Sequence, residues 1–464
     1  VRDGVRAPVL PAVLLLALAA AAVSFGGLEG VGFLALGGAF LVAFSLLLFR
    51  RATTDMASVR HRHAEADRNF LWTVVLGGMA LRVAVAFLLR LAGWNERIAP
   101  DEFTFHENAQ WFSAWMRGDV AQPFAFKWGG SVQVGYFAVS GALYGTFGEY
   151  PFVPILLNCV LGGLCAHPAY LLAARVSGRR AGRAAALLVT FFPSLVLWSA
   201  LLIRDACVLF FLLWTVCLAQ SLVSRFRFRT ALWLVVCLAS LLTLRSYLVM
   251  LMAAATGIAL LAAAMRRPGR AFAAALVCGV AVVALVKFGD AGNDFFSDTA
   301  LENLAQRRQY NAIGGDSSIS LEGFDLSTPG GALAYLPVGL CWFLLSPFPW
   351  QYAGNQRYAI PEVLIWYVCI PFVVAGAAFA LRRRRRVSIQ PLTGAILVTL
   401  LYSLVEGNVG IIFRHRAQAL ALLLPFAAIG WERRRMIERR RAREAVAAAE
   451  RSAAPARRPA AVTA

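Results

Sequence analysis

Long apolar runs separated by short arginine-rich interruptions occupy most of the chain. They lie near residues 8–25, 31–49, 70–93, 151–173, 183–203, 206–223, 230–244, 246–265, 270–288, 361–381, 389–406 and 411–431. Each approaches the roughly 20 residues that one helical bilayer crossing needs. Two weaker runs, near 131–147 and 333–349, are interrupted by Gly or Pro. Apolar positions are continuous within each run rather than alternating, which argues against a β-barrel and for an all-α polytopic membrane protein. The run at 8–25 follows "VRDGVR" and has no small-x-small cleavage site distinct from its Ala tract, so it is expected to be a first membrane helix. Over 103–117 the pattern becomes amphipathic. Phe105, Ala109, Trp111, Phe112, Trp115 and Met116 share one helical face, and His106, Glu107, Gln110, Ser113 and Arg117 share the other. That pattern predicts a helix lying in the membrane interface with its aromatic rings at headgroup depth.

Charge orients the runs. The 464 residues are 59% hydrophobic and carry a net charge of +20, and Lys127 and Lys287 are the only lysines. So basic a chain raises nucleic-acid binding as an option. Here the arginines form short clusters between apolar runs, which marks membrane orientation instead, and no nucleic-acid partner is expected. The clusters are "RRATTDMASVRHRH", "ARVSGRRAGR", "RFRFR", "RRPGR", "RRRRR" and "WERRRMIERRRAR". All six fall on one side only if the two weak runs do not cross. The expectation is therefore about 12 transmembrane helices with both termini cytoplasmic, plus two re-entrant or interfacial helices at 131–147 and 333–349. Residues 94–150 and 289–360 then lie outside, with the short turns "IRD", "LRSY" and "EGNVG".

The chain divides accordingly. Residues 1–69 hold two membrane helices and a cytoplasmic loop, 70–288 a membrane core with its first external loop at 94–150, and 289–360 a second external loop. Residues 361–431 form the last membrane helices and 432–464 a basic cytoplasmic tail, helical at first and disordered around "PARRPAAVTA". The eight cysteines lie in or beside apolar runs without a CxxC, and the five histidines show no metal-binding spacing. They are expected to pack as small apolar or interface residues, and no protein-held metal is expected.

Candidate chemistry begins with "PDEFTFHENAQWFSAWMRGD", Pro100 to Asp119, where Asp101 and Glu102 stand side by side as the chain leaves the 70–93 run. One reading is capping of the following helix, whose N-terminus favours negative charge. The other is a catalytic base at the water–lipid boundary. An acidic pair in the first large external loop, followed by an aromatic helix and Gly-Asp, resembles the glycosyltransferase C superfamily of integral membrane enzymes. Its members include protein O-mannosyltransferases and the aminoarabinose transferases acting on lipid A. The stretch "RVSGRRAGRAAALLVTFFPSLVLWSALLIRDACVLFFLL" resembles the same family: a basic turn, a helix reaching a Pro, then an external acidic residue, Asp205, opening the next helix. The likeness covers roughly residues 70–225. The chain is expected to depart from the pattern in two extra helices before this core and in lacking the external C-terminal domain that some relatives carry.

The resemblance implies transfer of a sugar from a polyprenyl-phosphate donor to a glycan, lipid or protein acceptor on the external face of the cell membrane. It makes Asp101 the first candidate base, with Glu102 as neighbour and alternate. Asp205 would orient a hydroxyl or help hold a divalent cation, or it caps its helix. Stabilising the phosphate leaving group calls for fixed cations. Arg204, Arg245, Arg414 and Arg416 at external helix ends, Arg307 and Arg308 in the second external loop, and Lys287 at the end of its run are the candidates, with His106 nearby in the first loop. Arginine binds phosphate in a bidentate fork, although snorkelling to headgroups and pairing with Asp205 or Glu406 remain alternatives. A transporter or flippase of lipid-linked sugar, and a cell-surface glycan polymerase or ligase, are the competing functions.

Overall fold

The computed structural model describes residues 64–120, 134–224, 227–264, 300–313, 319, 323–348, 350 and 359–453. Every regular element among them is a helix. Helix α1 (Ala64–Leu91) is followed by the short α2 (Asn95–Ile98), α3 (Glu102–Arg117) and α4 (Gly135–Phe147). Helices α5 (Phe152–Leu164) and α6 (Ala166–Ser177) run on as one apolar rod. Next come α7 (Arg179–Phe191), α8 (Pro193–Ser199), α9 (Asp205–Ser224) and α10 (Phe228–Ala264). Beyond them lie α11 (Ala300–Ile313), α12 (Pro329–Leu345), α13 (Ile360–Val405) and α14 (Val409–Ala453).

Six of these stretches are long and apolar enough to cross a bilayer, or seven if α7 and α8 are one span bent by 51°. The bend has a local cause. Pro193 excludes the preceding residue from the helical region, and Phe192 is extended at φ −67°, ψ 131°. Two of the long helices are also broken: Arg245 inside α10 and Arg384 inside α13 leave helical geometry. The 13 residues of α4 and 17 of α12 fall short of the length a straight crossing requires. The apolar runs at 8–25, 31–49 and 270–288 lie outside the described residues.

Polar contacts collect at two opposite ends of the bundle. At one end Asp67, near the start of α1, accepts hydrogen bonds from Tyr170 Oη (2.9 Å), Arg179 Nε (2.5 Å) and Arg183 Nε (2.7 Å). There Arg175 donates to the Cys217 carbonyl at 2.7 Å, and Gln220 donates to the Val387 carbonyl at 3.0 Å. Arg180 pairs with Glu432 at 3.7 Å. The other end holds the close of α1 at Arg90, the start of α9 at Asp205, the Arg245 break, the end of α13 and the start of α14. Four of the six arginine clusters seen in the sequence reach into the described residues, and all four lie at or beside the first end: 174–183, the tail of 225–229, 382–386 and the start of 431–443.

Helices α13 and α14 pack most extensively, and small residues allow it. A Cβ on Gly376 would lie 1.9 Å from the Phe426 carbonyl oxygen, and one on Gly430 would lie 2.0 Å from that of Phe372. Without a hydrophobic drive between helices in lipid, such close backbone approach is a main source of association. A second close approach surrounds Arg82, which is buried within α1 and donates to Ser199 Oγ at 2.7 Å and to the Gly78 carbonyl at 2.9 Å. Gly162 makes room for it, since a Cβ there would sit 2.5 Å from Arg82 Nε. The seven described cysteines are unbridged.

Gly376→Ala should lower the thermal unfolding midpoint in detergent, with a loss of about 1–3 kcal/mol or more because backbone must move. Gly257→Ala, where nothing lies within 4 Å, is the control and should leave the midpoint unchanged or raised. Equal midpoints for the two variants would contradict the close α13–α14 crossing.

Candidate functional site

The site is assembled from three helices and the residue that precedes a fourth, at the end of the bundle remote from the arginine clusters. Its centre is Asp205, the first residue of α9. Asp205 Oδ2 accepts from Arg414 Nε (2.8 Å) and Nη2 (2.6 Å), and Oδ1 accepts from Arg245 Nη2 at 3.1 Å. Arg414 reaches further, donating from Nη1 to Asp101 Oδ2 at 2.6 Å. The sequence places these four residues far apart. The structure joins them in the order Arg245, Asp205, Arg414, Asp101, with alternating charge.

Exposure rises along that chain. The side chains of Asp205 and Arg245 are 2% and 4% exposed, Arg414 is 17% and Asp101 is 39% exposed. Asp205 therefore has both oxygens committed to guanidinium groups, away from water. Asp101 has one oxygen on Arg414 and reaches water. A half-wet carboxylate and a partly accessible guanidinium thus stand side by side, backed by a dry carboxylate that fixes the guanidinium plane.

The backing continues inward. Arg245 can bridge to this cluster because the break in α10 lies at that residue. Its Nη1 lies 2.7 Å from Tyr247 Oη and 2.8 Å from His415 Nε2. A guanidinium can only donate, so His415 Nε2 accepts, and Nδ1 carries the proton toward Glu406 Oε1 at 2.7 Å. Tyr247 meets Tyr402 Oη at 2.8 Å, and Tyr402 donates to Gln418 Oε1 at 2.7 Å. On the other flank Arg414 lies over the Trp198 ring, 5.8 Å from its centroid, and Trp198 packs edge-on against Phe413.

The remaining sequence candidates separate from this centre. Glu102 is buried and accepts from Leu202 N (2.5 Å), Asn95 Nδ2 (3.0 Å) and Arg90 Nη2 (3.3 Å). Asp101, the residue before α3, makes no side-chain cap bond, although both carboxylates stand at the N-terminus of that helix, where its dipole favours negative charge. Arg204 directly precedes Asp205 and is near enough to Arg245 and Arg414 to feel their charge. Arg414 and Arg416 do not converge. Two positions apart on a helix they point to different faces, and Arg416 is fully buried against Glu362 (3.0 Å) and the Ser346 carbonyl. Arg308 is buried too. It donates to Tyr335 Oη at 2.6 Å and to the carbonyls of Leu404 and Glu406, which close the end of α13. Arg307 is exposed on α11, and Lys287 lies outside the described residues. Among the described residues no cluster of His, Cys, Asp or Glu is arranged to hold a metal ion.

Helix α3 starts at Glu102 and buries Glu102, Phe105, Ala109 and Ser113. Phe103, Trp111, Trp115 and Met116 are exposed. Ser113 thus belongs to the packed stripe rather than to the polar face, because the neighbour it meets is α4. There Gly141 admits Phe112 and the Ala109 carbonyl. His106 Nδ1 lies 2.8 Å from Tyr144 Oη on α4.

No protein-family model matches this sequence, and no curated protein matches it.

Burial holds the His106 pKa below its ordinary value, against the opposing pull of Glu149. A histidine depressed in the folded state favours folding above its unfolded pKa, and that contribution is lost as pH falls through the folded value. The α3–α4 contact should therefore loosen as pH drops below about 6.5. Tryptophan fluorescence against pH checks this: wild type should show a step that His106→Gln lacks. Superimposable curves would contradict it.

Proposed function

We propose that the chain is an integral membrane glycosyltransferase that moves a sugar from a polyprenyl-phosphate donor to an acceptor at the external membrane face, with inversion. The observation that carries this reading is the contact of Asp101 with Arg414 at the end of the bundle opposite the arginine clusters. A proton acceptor and a fixed cation stand together where a lipid headgroup would lie.

In this reading the bundle has about 12 spans, in which the breaks at Arg245 and Arg384 each divide a long helix into two crossings. The two breaks would turn the chain at opposite ends. The arginine-rich end faces the cytoplasm, as the positive-inside rule requires, and α3, α4 and α12 lie along or dip into the outer leaflet. Phe103, Trp111, Trp115 and Met116 then sit at headgroup depth, as aromatic side chains prefer.

The chemistry is a single displacement. Asp101 takes the proton of the acceptor hydroxyl, whose oxygen forms a bond to the anomeric carbon from the face opposite the phosphate. The bond from that carbon to the phosphate oxygen breaks, and the polyprenyl phosphate leaves with the electron pair. Arg414, with Arg204 and Arg245 close behind it, balances the charge that develops on the phosphate. Because phosphate is already a good leaving group, a separate general acid is unnecessary. Asp205 holds the two arginines in a fixed plane rather than touching the reacting atoms.

A panel of radiolabelled polyprenyl-phosphate hexoses and pentoses, offered to protein in nanodiscs with membrane extract as acceptor, tests the activity. Wild type should transfer label from at least one donor, and Asp101→Asn should lose at least about 100-fold in rate while remaining folded. Full activity in Asp101→Asn would remove Asp101 as the base. Vectorial movement of intact donor without transfer would favour a flippase. Orientation has its own check. With native cysteines removed, Thr146→Cys should react with an impermeant reagent applied outside cells and Arg441→Cys should not; the reverse pattern would invert the topology.

A further inference from the structure

Helices α8 and α9 are joined by residues 200–204: Ala200 N closes α8 on the Leu197 carbonyl, the Arg204 carbonyl opens α9 by accepting from Val208 N, and residues 201–203 between them are not helical. Ala200, Leu201, Leu202 and Ile203 are nevertheless each no more than 2% exposed. Buried backbone groups need partners, and side chains from elsewhere supply them. Asn158 Nδ2, on α5, donates to the Leu201 carbonyl (2.8 Å) and the Ile203 carbonyl (2.9 Å). Arg82 holds the entry to the segment at Ser199. The Leu202 amide donates to Glu102 Oε1 at 2.5 Å. The segment ends on Arg204 and Asp205, so its position sets where the Asp205 carboxylate meets Arg414 and Arg245.

Glu102 is suited to this task and poorly suited to proton transfer. Its other oxygen, Oε2, accepts from both Asn95 and Arg90. Both oxygens are thus held by donors in a buried setting, whereas the neighbouring Asp101 has one oxygen on Arg414 and is 39% exposed. Successive residues at the start of a helix point about 100° apart. The acidic pair can therefore serve two elements: Asp101 turns to α14 and Glu102 to the α8–α9 connection.

We propose that Glu102 is a positioning residue. It fixes the 200–204 segment through the Leu202 amide and so aligns Asp205 and its arginines with Asp101. The positioning role rests on the glycosyltransferase reading, but the attachment itself does not.

Two variants and two readouts test it. Glu102→Ala removes the acceptor. Glu102→Gln keeps an acceptor oxygen for the Leu202 amide yet cannot take up a proton; Asn95 can turn its amide over to meet the new NH2, and the partly exposed Arg90, which can only donate, gives up its longer bond for water. Hydrogen exchange of the peptide spanning 200–206 in the full-length protein reports the attachment. Transfer kinetics with a polyprenyl-phosphate sugar report its consequence. Glu102→Ala should speed exchange of that peptide and lower kcat by about 100-fold, with KM for the donor within about threefold. Glu102→Gln should recover exchange protection and kcat together. Unchanged exchange in Glu102→Ala would overturn the attachment. Protected exchange with no activity in Glu102→Gln would overturn positioning and make Glu102 a proton acceptor. If wild type transfers no sugar, the functional reading falls while the exchange comparison still decides whether Glu102 holds the segment.

Discussion

Everything at the candidate site depends on one guanidinium. Arg414 is shared between Asp205, which is buried at the start of α9, and Asp101, which reaches water from the first loop after α1. Remove that side chain and this tie between the first loop and the last long helix is lost, while Asp205 keeps Arg245. A buried ion pair is weak evidence of stability, because desolvation offsets much of the attraction. Its persistence here is better explained by geometry. An arginine gripped by two of its nitrogens cannot swing, so its remaining donors point in a fixed direction.

The arrangement grades from dry to wet, and the gradient divides labour among the carboxylates. Asp205, Glu406 and Glu362 are buried, and each faces an arginine or histidine. Glu102 is buried on a backbone amide. Among the described carboxylates of this network, Asp101 is the one that combines a cationic neighbour with substantial exposure. The same logic sorts the arginines. Arg308 and Arg416 are consumed by carbonyls, a tyrosine and Glu362, whereas Arg414 retains an outward edge.

Much of the fold was legible because bilayer length and arginine clustering are strong signals. The runs at 206–223 and 411–431 each fall within a long helix, the run at 70–93 overruns the end of α1 by two residues, and the helix expected near 103–117 starts one residue earlier. The weak runs were recognisable by Gly and Pro, and they form the short α4 and α12. Legibility of the site was partial. Asp101, Asp205, Arg245 and Arg414 stood out as charges at helix ends, where charge in an apolar chain is costly. Their convergence was not readable, since it depends on how four helices cross. Arg416 and Arg308 carried the same signal as Arg414, and only packing distinguishes a guanidinium turned inward onto carbonyls. Trp198, Tyr402, Asn158 and Arg82 were missed because each lies within an apolar run and resembles ordinary span residues. For Arg82 a signal existed: a lone arginine mid-run, with Gly78 one turn before it, is a charge that must find a partner inside the bundle.

The central claim is that the cluster around Arg414 receives a lipid phosphate. It is tested most directly by photo-crosslinking with a polyprenyl phosphate carrying a diazirine in its first isoprene unit, followed by mapping of the adducts. Adducts should fall on the segments around Asp101, Asp205 and Arg414, and Arg414→Ala should abolish them. Adducts confined to the arginine-rich end, or undiminished in Arg414→Ala, would contradict the account.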